Sequence, residues 1–270
     1  MQKEHKLLIL KIVLLVFLPI SVMDKNIYAE GGNLVPSKST EFQLWLQQKA
    51  PQLQQRYGAT GAAIGVVQGG ETTYTLNMGY ANKKDRIPVT TSTVFQAGSV
   101  SKTITALGIL HLVDQGALSL DDPVSKYLTR WHFPSSPYDL EKVTVRSLLS
   151  HTAGLPAHPG YLGVKPGDKL SSLEESLSGL GESGVKTYVA QQPGKFAVYS
   201  GAGYTLLQLL IEEVTGLSFN TYMQQQILDP LGMISSSFDP SELNSGKAAG
   251  YGYFGQKLPI TGSRSKQQLG

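Results

Sequence analysis

The chain has 270 residues, 41% of them hydrophobic, and a formal net charge of +3. That is enough apolar material for one substantial core or two small ones. Residues 1–29 carry four lysines against Glu4 and Asp24, so the remainder is almost neutral and offers no basis for a nucleic-acid surface. The absence of cysteine excludes disulfides, thiolate metal sites, a cysteine nucleophile and a lipidated N-terminal Cys. There is no His-Glu-x-x-His pattern and no phosphate-binding loop, so no metal or other cofactor is implied.

Lys3, Lys6 and Lys11 flank the apolar runs Leu7–Leu10 and Ile12–Leu18, and the small residue Ala29 closes a polar stretch. This is the pattern of a secretory leader cut after Ala29, and it predicts an exported protein, periplasmic or extracellular. An uncleaved membrane anchor at 1–29 is the alternative. Residues 30–39 read as polar linker, and 40–270 as one domain. Phe42, Trp45, Leu46, Ala50, Leu53 and Tyr57 predict an amphipathic helix from Thr40. Ala62–Val67, the Gly69-Gly70 turn and the alternation of Tyr74, Leu76, Met78 and Tyr80 predict an antiparallel hairpin.

Ser99 and Lys102 follow. Residues three apart on a helix share a face, so the hydroxyl and the amine can meet. Such a pair makes a nucleophile without histidine. The same Ser-x-x-Lys spacing recurs at Ser183/Lys186 and Ser263/Lys266. Only at Ser99 does a glycine-preceded start lead into an apolar stripe, Thr103, Ile104, Ala106, Leu107, Leu110 and Val113. The bland alternative is a serine N-cap followed by a solvated lysine.

Further on, Asp121-Asp122-Pro123 reads as a helix start with acidic caps. Thr144–His151 reads as a short helix, 157–195 as loop, and Leu206, Leu207, Leu210, Ile211 and Val214 as a helix stripe ended by Gly216. Ser218 then caps a helix carrying Phe219, Tyr222, Met223 and Ile227, and a strand is expected near Ala249–Phe254. His111 reads as packed, His151 as a hydrogen-bonding group at a helix end, and Glu212 and Glu213 as residues of a polar helix face.

Four stretches in order, Phe95–Lys102, Val143–Pro156, Val198–Leu207, and Val214–Phe219 running on to Leu228–Met233, resemble the serine β-lactamase/penicillin-recognising superfamily. The likeness is strongest to the class C β-lactamase, DD-peptidase and esterase branch, and it covers residues 40–238. The resemblance implies an α+β fold, an antiparallel sheet flanked by helices plus a helical lobe, with the site in the cleft between them. It implies Ser99 as nucleophile, Lys102 as activator and Tyr199 as proton shuttle, with the Ser99 backbone N–H as an oxyanion donor. The lysine either takes the serine proton or stabilises a deprotonated neighbour by its charge. The implied partner is a small-molecule or peptide substrate, an amide or ester related to β-lactams or peptidoglycan.

Two departures shape the expectation. The family's Tyr-x-Asn is Tyr199-Ser200-Gly201 here, and glycine supplies no amide; weight moves from β-lactam turnover toward ester or peptide substrates. The family's Lys/His-x-Gly triplet does not follow Tyr199; His158-Pro-Gly160 and Lys165-Pro-Gly167 precede it, and Ile260-Thr-Gly262 lacks the basic residue. The chain thus reads as a relative truncated at its C-terminus, missing strands of the sheet and leaving the hairpin with an exposed edge. The rival readings are a degenerate module that binds peptidoglycan or a protein without turnover, and a fragment that needs a separate C-terminal piece.

Overall fold

A computed structural model describes residues 38–157, 171–181, 184–239, 246–251 and 257. The expected leader, the expected linker up to residue 37, the serines of the second and third Ser-x-x-Lys pairs and the three Pro-Gly or Thr-Gly triplets lie outside the described residues. The chain divides into two units, residues 1–44 and 45–270; the described part of the first is the opening of one helix.

That helix, α1, spans Lys38–Tyr57, starting two residues before the expected Thr40 and running through Pro51. The expected apolar stripe does not bury as a whole: Ala50 is buried, whereas Trp45, Leu53 and Tyr57 are exposed. After α1 come strands β1 (Gly61–Gln68) and β2 (Glu71–Asn82), the predicted hairpin. Gln68 pairs with Glu71 across a two-residue turn, and both turn residues have positive φ, 62° at Gly69 and 87° at Gly70. Only glycines adopt that mirror-image turn freely, and it matches the twist of the flanking strands. Ile64 opposite Leu76 and Val66 opposite Tyr74 form the half-buried face of the ribbon. A two-residue strand, β3 (Ile87–Pro88), pairs with the end of β2 and completes a sheet of order β1-β2-β3, with Pro88 on the edge, where its missing N–H costs nothing.

The core lies in the helical lobe. It is built by α2 (Ser101–Asp114), α3 (Val145–Leu149), α4 (Leu173–Leu177), α5 (Gly201–Thr215) and α6 (Phe219–Met223). Helix α5 is the central element: every residue from Gly201 to Ile211 is buried, as expected of a helix enclosed on all sides. Ser218 caps α6 as expected, accepting from the Thr221 N–H. Thr144 caps α3 with Ser147 in a reciprocal pair, and Ser172 with Glu175 does the same for α4, a helix inside the stretch expected to be loop. The architecture is α+β, an antiparallel sheet with helices and a helical lobe, as the resemblance implies.

Helix α2 corrects the sequence reading in a way that matters for the site. The expected stripe ran through Leu107 and Leu110, yet both are exposed. The buried face is Lys102, Thr105, Gly108, Ile109 and Leu112. The helix is apolar on two sides, so periodicity alone cannot choose between them. Packing chooses the side with small residues: a Cβ on Gly108 would lie 2.6 Å from Met223 Sδ of α6. The consequence is that Lys102 is drawn into the interior with that face.

The expected helix at Asp121-Asp122-Pro123 is a single 3₁₀ turn, Val124–Lys126, and the two aspartates do not cap it. Asp121 instead takes a two-pronged bond from Arg146, and Asp122 accepts from Lys126 and Tyr127. Side chains, distant for Asp121 and neighbouring for Asp122, take these carboxylates in place of the amides of the turn. The two glutamates at the end of α5 are likewise anchors rather than solvated charges. Glu213 accepts from the Thr129 and Arg130 N–H groups and the Thr129 hydroxyl; Glu212 pairs with Arg130, whose guanidinium also reaches Glu174 of α4. The expected strand near Ala249–Phe254 is described in part: Lys247 bridges Val94, and Tyr251 bridges Lys257.

Burial raises the Glu213 carboxyl, but the bonds from Arg130 and Thr129 outweigh it and hold its pKa below the ordinary value. A depressed carboxylate stabilises the fold above its unfolded pKa, and that contribution is lost as pH falls through the lower folded value. Glu213→Gln keeps one acceptor oxygen for the two amides, so it should cost about 1 kcal/mol at neutral pH. Its acid-unfolding limb should also flatten relative to wild type, which denaturant titrations at several pH values will read.

Candidate active site

The site is assembled from three pieces of chain. Ser99 sits in a 3₁₀ turn, Gly98–Val100, that runs directly into α2. This places Lys102 in the first turn of the helix, on its buried face, at 6% exposure. Tyr199 arrives from the loop that precedes α5, with Ser200 as the N-cap residue of that helix.

The loop is held by the turn that follows α3. The Gly154 carbonyl accepts from the Ala190 and Gln191 amides, the Thr152 carbonyl from Gly194, and the His151 carbonyl from Val198. The turn is itself tied back to α3 by the Thr152 N–H bonded to the Ser147 carbonyl. Thus the order of residues in 143–156 has a mechanical sense here: α3 fixes the turn, the turn fixes the loop, and the loop presents the phenol.

The outcome is that Tyr199 Oη lies 2.8 Å from Ser99 Oγ. Lys102 Nζ stands 5.0 Å from the centroid of the Tyr199 ring and 5.3 Å from that of Tyr204. All three residues named from sequence are therefore together, although 100 positions separate the serine from the tyrosine. Ser99 is exposed and Tyr199 is 49% exposed, so the pair opens to solvent while the lysine lies beneath. A groove of about 400 Å³ between the end of α1 and the hairpin, lined by Gln54, Thr60, Tyr80 and Lys83 among others, contains none of the three.

Electrostatics ease ionisation of Tyr199. Burial opposes ionisation, but hydrogen bonding to Lys102 and Ser99 and the Lys102 charge outweigh it, and the phenol sits below the ordinary tyrosine value. Tyr204 moves the other way: burial first, and then the charge on Tyr199, raise it. The two neighbouring phenols are pushed apart, a pattern that separates a reactive group from a structural one. Tyr204 donates to the Leu149 carbonyl and serves the core.

Sequence reading understated one residue. His151 was expected to be a helix-end hydrogen-bonding group. It lies two residues past the end of α3, at φ 59°, with its ring 4.7 Å from that of Tyr199 and 5.3 Å from that of Tyr204. Its Nδ1 accepts from the Ser200 N–H at 3.3 Å. Burial and then the Lys102 charge lower its pKa. Its place between Ser150 and Thr152 in a matched stretch was the available signal; its contact with Tyr199 is set by the tertiary fold alone. His111 is packed, as expected: Tyr222 donates to the Gly108 carbonyl, and its oxygen lies 3.0 Å from His111 Nδ1. Burial pushes the Tyr222 phenol up to about 12. Gly201, at the first position of α5, is buried and brings no amide to the trio.

Comparison with known proteins gives the family and the fold. The family profile described as Beta-lactamase matches residues 46–261. Penicillin-binding protein 4* of Bacillus subtilis strain 168 is 34% identical over 167 residues, which is 62% of this chain and 35% of that protein. The putative penicillin-binding protein PbpX of the same strain is 32% identical over 212 residues, 78% of this chain and 49% of that one. The chain thus spans half or less of the length of these curated relatives. Among solved structures, the octameric penicillin-binding protein homologue from Pyrococcus abyssi has a TM-score of 0.67 at 32% identity, over 80% of this chain and 49% of that one. A class C β-lactamase shares the fold, with a TM-score of 0.65 at 24% identity over 86% of this chain and 62% of that one. A family match across most of the residues means that the chain belongs to the β-lactamase family.

Proposed function

We propose that this chain is an exported serine hydrolase domain that cleaves an amide, peptide or ester through an acyl-enzyme on Ser99. The observation that carries the reading is the 2.8 Å contact between Ser99 Oγ and Tyr199 Oη beside a buried lysine. Tyr199, once ionised beside the Lys102 charge, takes the Ser99 proton as Oγ attacks the substrate carbonyl. The Ser99 N–H, in the turn that leads into α2, faces the negative charge that develops on the carbonyl oxygen. Collapse of the tetrahedral intermediate breaks the bond to the leaving amine or alkoxide, which receives its proton from Tyr199. Water then attacks the acyl carbonyl, gives its proton to Tyr199, and Ser99 leaves with that proton. The solvent-exposed hydroxyl pair suits a large or polymeric substrate, and a β-lactam or a peptidoglycan-derived peptide fits the relatives named as penicillin-binding proteins. Export follows from the leader pattern at 1–29.

One feature favours a second reading, binding without turnover: Gly201 stands where the resemblance calls for a side-chain amide. The purified chain, incubated with a fluorescent penicillin and separately with a serine-directed fluorescent phosphonate, separates the two. An adduct mapped by mass spectrometry to the Ser99 peptide supports the hydrolase. Saturable peptidoglycan binding with no adduct from either probe overturns it in favour of the binding module.

A further inference from the structure

We propose that His151 is the positioning residue for the Tyr199 phenol: its carbonyl oxygen and its imidazole Nδ1 hold the backbone amides of the two residues that flank the tyrosine. The inference deepens the acyl-enzyme reading and rests on it for its kinetic consequence. The Val198 N–H donates to the His151 carbonyl at 2.8 Å, and the Ser200 N–H donates to Nδ1 at 3.3 Å. One bond lies on each side of Tyr199, so its backbone cannot swivel about either neighbour. The His151 ring, tilted 37° against the Tyr199 ring at 4.7 Å, limits the side chain as well. A single residue does all three because its backbone is left-handed, φ 59°, which turns carbonyl and side chain toward the same stretch of loop. Histidine is among the few non-glycine residues enriched in that conformation.

The bond from Ser200 also defines the chemical state. A backbone N–H can only donate, so Nδ1 must carry a lone pair and the proton must sit on Nε2. Protonating Nδ1 would break the bond and set a second cation beside Lys102. The charged and titratable groups facing the ring are Lys102 from α2, Tyr199 from the loop and Tyr204 from α5. Burial and Lys102 lower the His151 pKa, so the neutral form dominates at neutral pH. Positioning is therefore intact above that lowered value and lost as pH falls through it, giving the Ser99 reaction an acid limb below the ordinary histidine range of about 6.5.

Two variants and one spectroscopic readout test this. His151→Asn offers a side-chain oxygen near the Nδ1 position, tolerates left-handed backbone and does not titrate. It should keep most of the phosphonylation rate at neutral pH and lose the extra fall that His151 protonation adds, leaving only the rise with Tyr199 ionisation. His151→Phe keeps a ring without an acceptor. Its rate should fall roughly 10- to 100-fold, the scale of a small misplacement at a reacting centre, with the probe's initial binding constant little changed. The ¹⁵N spectrum of histidine-labelled protein, with the His151 signals assigned by their absence in His151→Asn, should show a bare Nδ1 and a protonated Nε2. A protonated Nδ1 at neutral pH, a His151→Phe protein that reacts like wild type, or a histidine-range inflection that persists in His151→Asn beside the Tyr199 ionisation would each overturn the proposal. Should His151→Phe fail to fold, the Asn profile and the spectrum still decide. If wild type takes no label at all, the acyl-enzyme reading falls, while the tautomer continues to test the His151 geometry on its own.

Discussion

Ser99→Ala is expected to abolish adduct formation with both probes, and Lys102→Ala to slow it by roughly 100- to 10,000-fold, the range of a lost acid–base partner. The two losses have different physical origins, and a second measurement tells them apart. Ser99→Ala removes the atom that bonds to the substrate. Lys102→Ala leaves that atom in place and removes the cation that offsets the burial of Tyr199. Burial is the largest influence on the phenol and acts to raise it; hydrogen bonding to Lys102 comes next and lowers it, with a further contribution from the Lys102 charge. Without the lysine, the burial effect is no longer outweighed, so Tyr199 should titrate above its wild-type value, and ultraviolet difference titration of the phenolate will follow it. In pH–rate profiles the wild-type rate should rise as Tyr199 ionises, and in Lys102→Ala that rise should move to higher pH. A Lys102→Ala protein with an unshifted phenol and a wild-type rate would leave the lysine as a packing residue.

Gly154→Ala should have the largest structural effect. Gly154 has φ 74°, and a Cβ built on it would lie 2.2 Å from the Gln191 carbonyl oxygen. The obstructing atom is backbone, so it cannot be moved by a rotamer change. Left-handed backbone costs a non-glycine residue about 1–2 kcal/mol. Displacing the loop also strains the Ala190 and Gln191 bonds to the Gly154 carbonyl, each worth about 1 kcal/mol net. A loss of about 3 kcal/mol follows, or roughly 6–12 °C in melting temperature for a domain of this size. Function should suffer more than stability. The loop that is pushed away is the one that carries Tyr199, so the Ser99 reaction should fail in Gly154→Ala at temperatures where the helical lobe is still folded. Near-ultraviolet and far-ultraviolet circular dichroism, recorded beside the labelling rate, will show whether the two separate.

Residue pattern alone was sufficient for elements whose cause is local. The hairpin is one: paired glycines freely adopt the tight mirror-image turn that joins two strands, and alternation on either side sets the register. Helices α5 and α6 are another, because a dense apolar stripe closed by Gly216 and restarted by Ser218 needs no distant partner to be recognised. The trio at Ser99, Lys102 and Tyr199 was legible as well, but through resemblance: one helical turn brings the first two together, and nothing local brings the third.

What failed was each choice that depends on which surface packs against which. Helix α2 presents apolar side chains on two faces, and only the approach of α6 against Gly108 decides that the lysine side goes in. Asp121 and Asp122 are good cap residues by type, yet Arg146, Lys126 and Tyr127 claim them, because a charged partner outcompetes a backbone amide. Residue types and short spacings alone determined that this protein has a glycine-turned hairpin, a helical lobe and a hydroxyl beside an amine, since those rest on interactions within a few residues. Burial of that amine, depression of the Tyr199 phenol and the grip of His151 on both neighbours of the tyrosine were decided only by the tertiary structure. Desolvation and long-range hydrogen bonding exist only once segments distant in the chain have met.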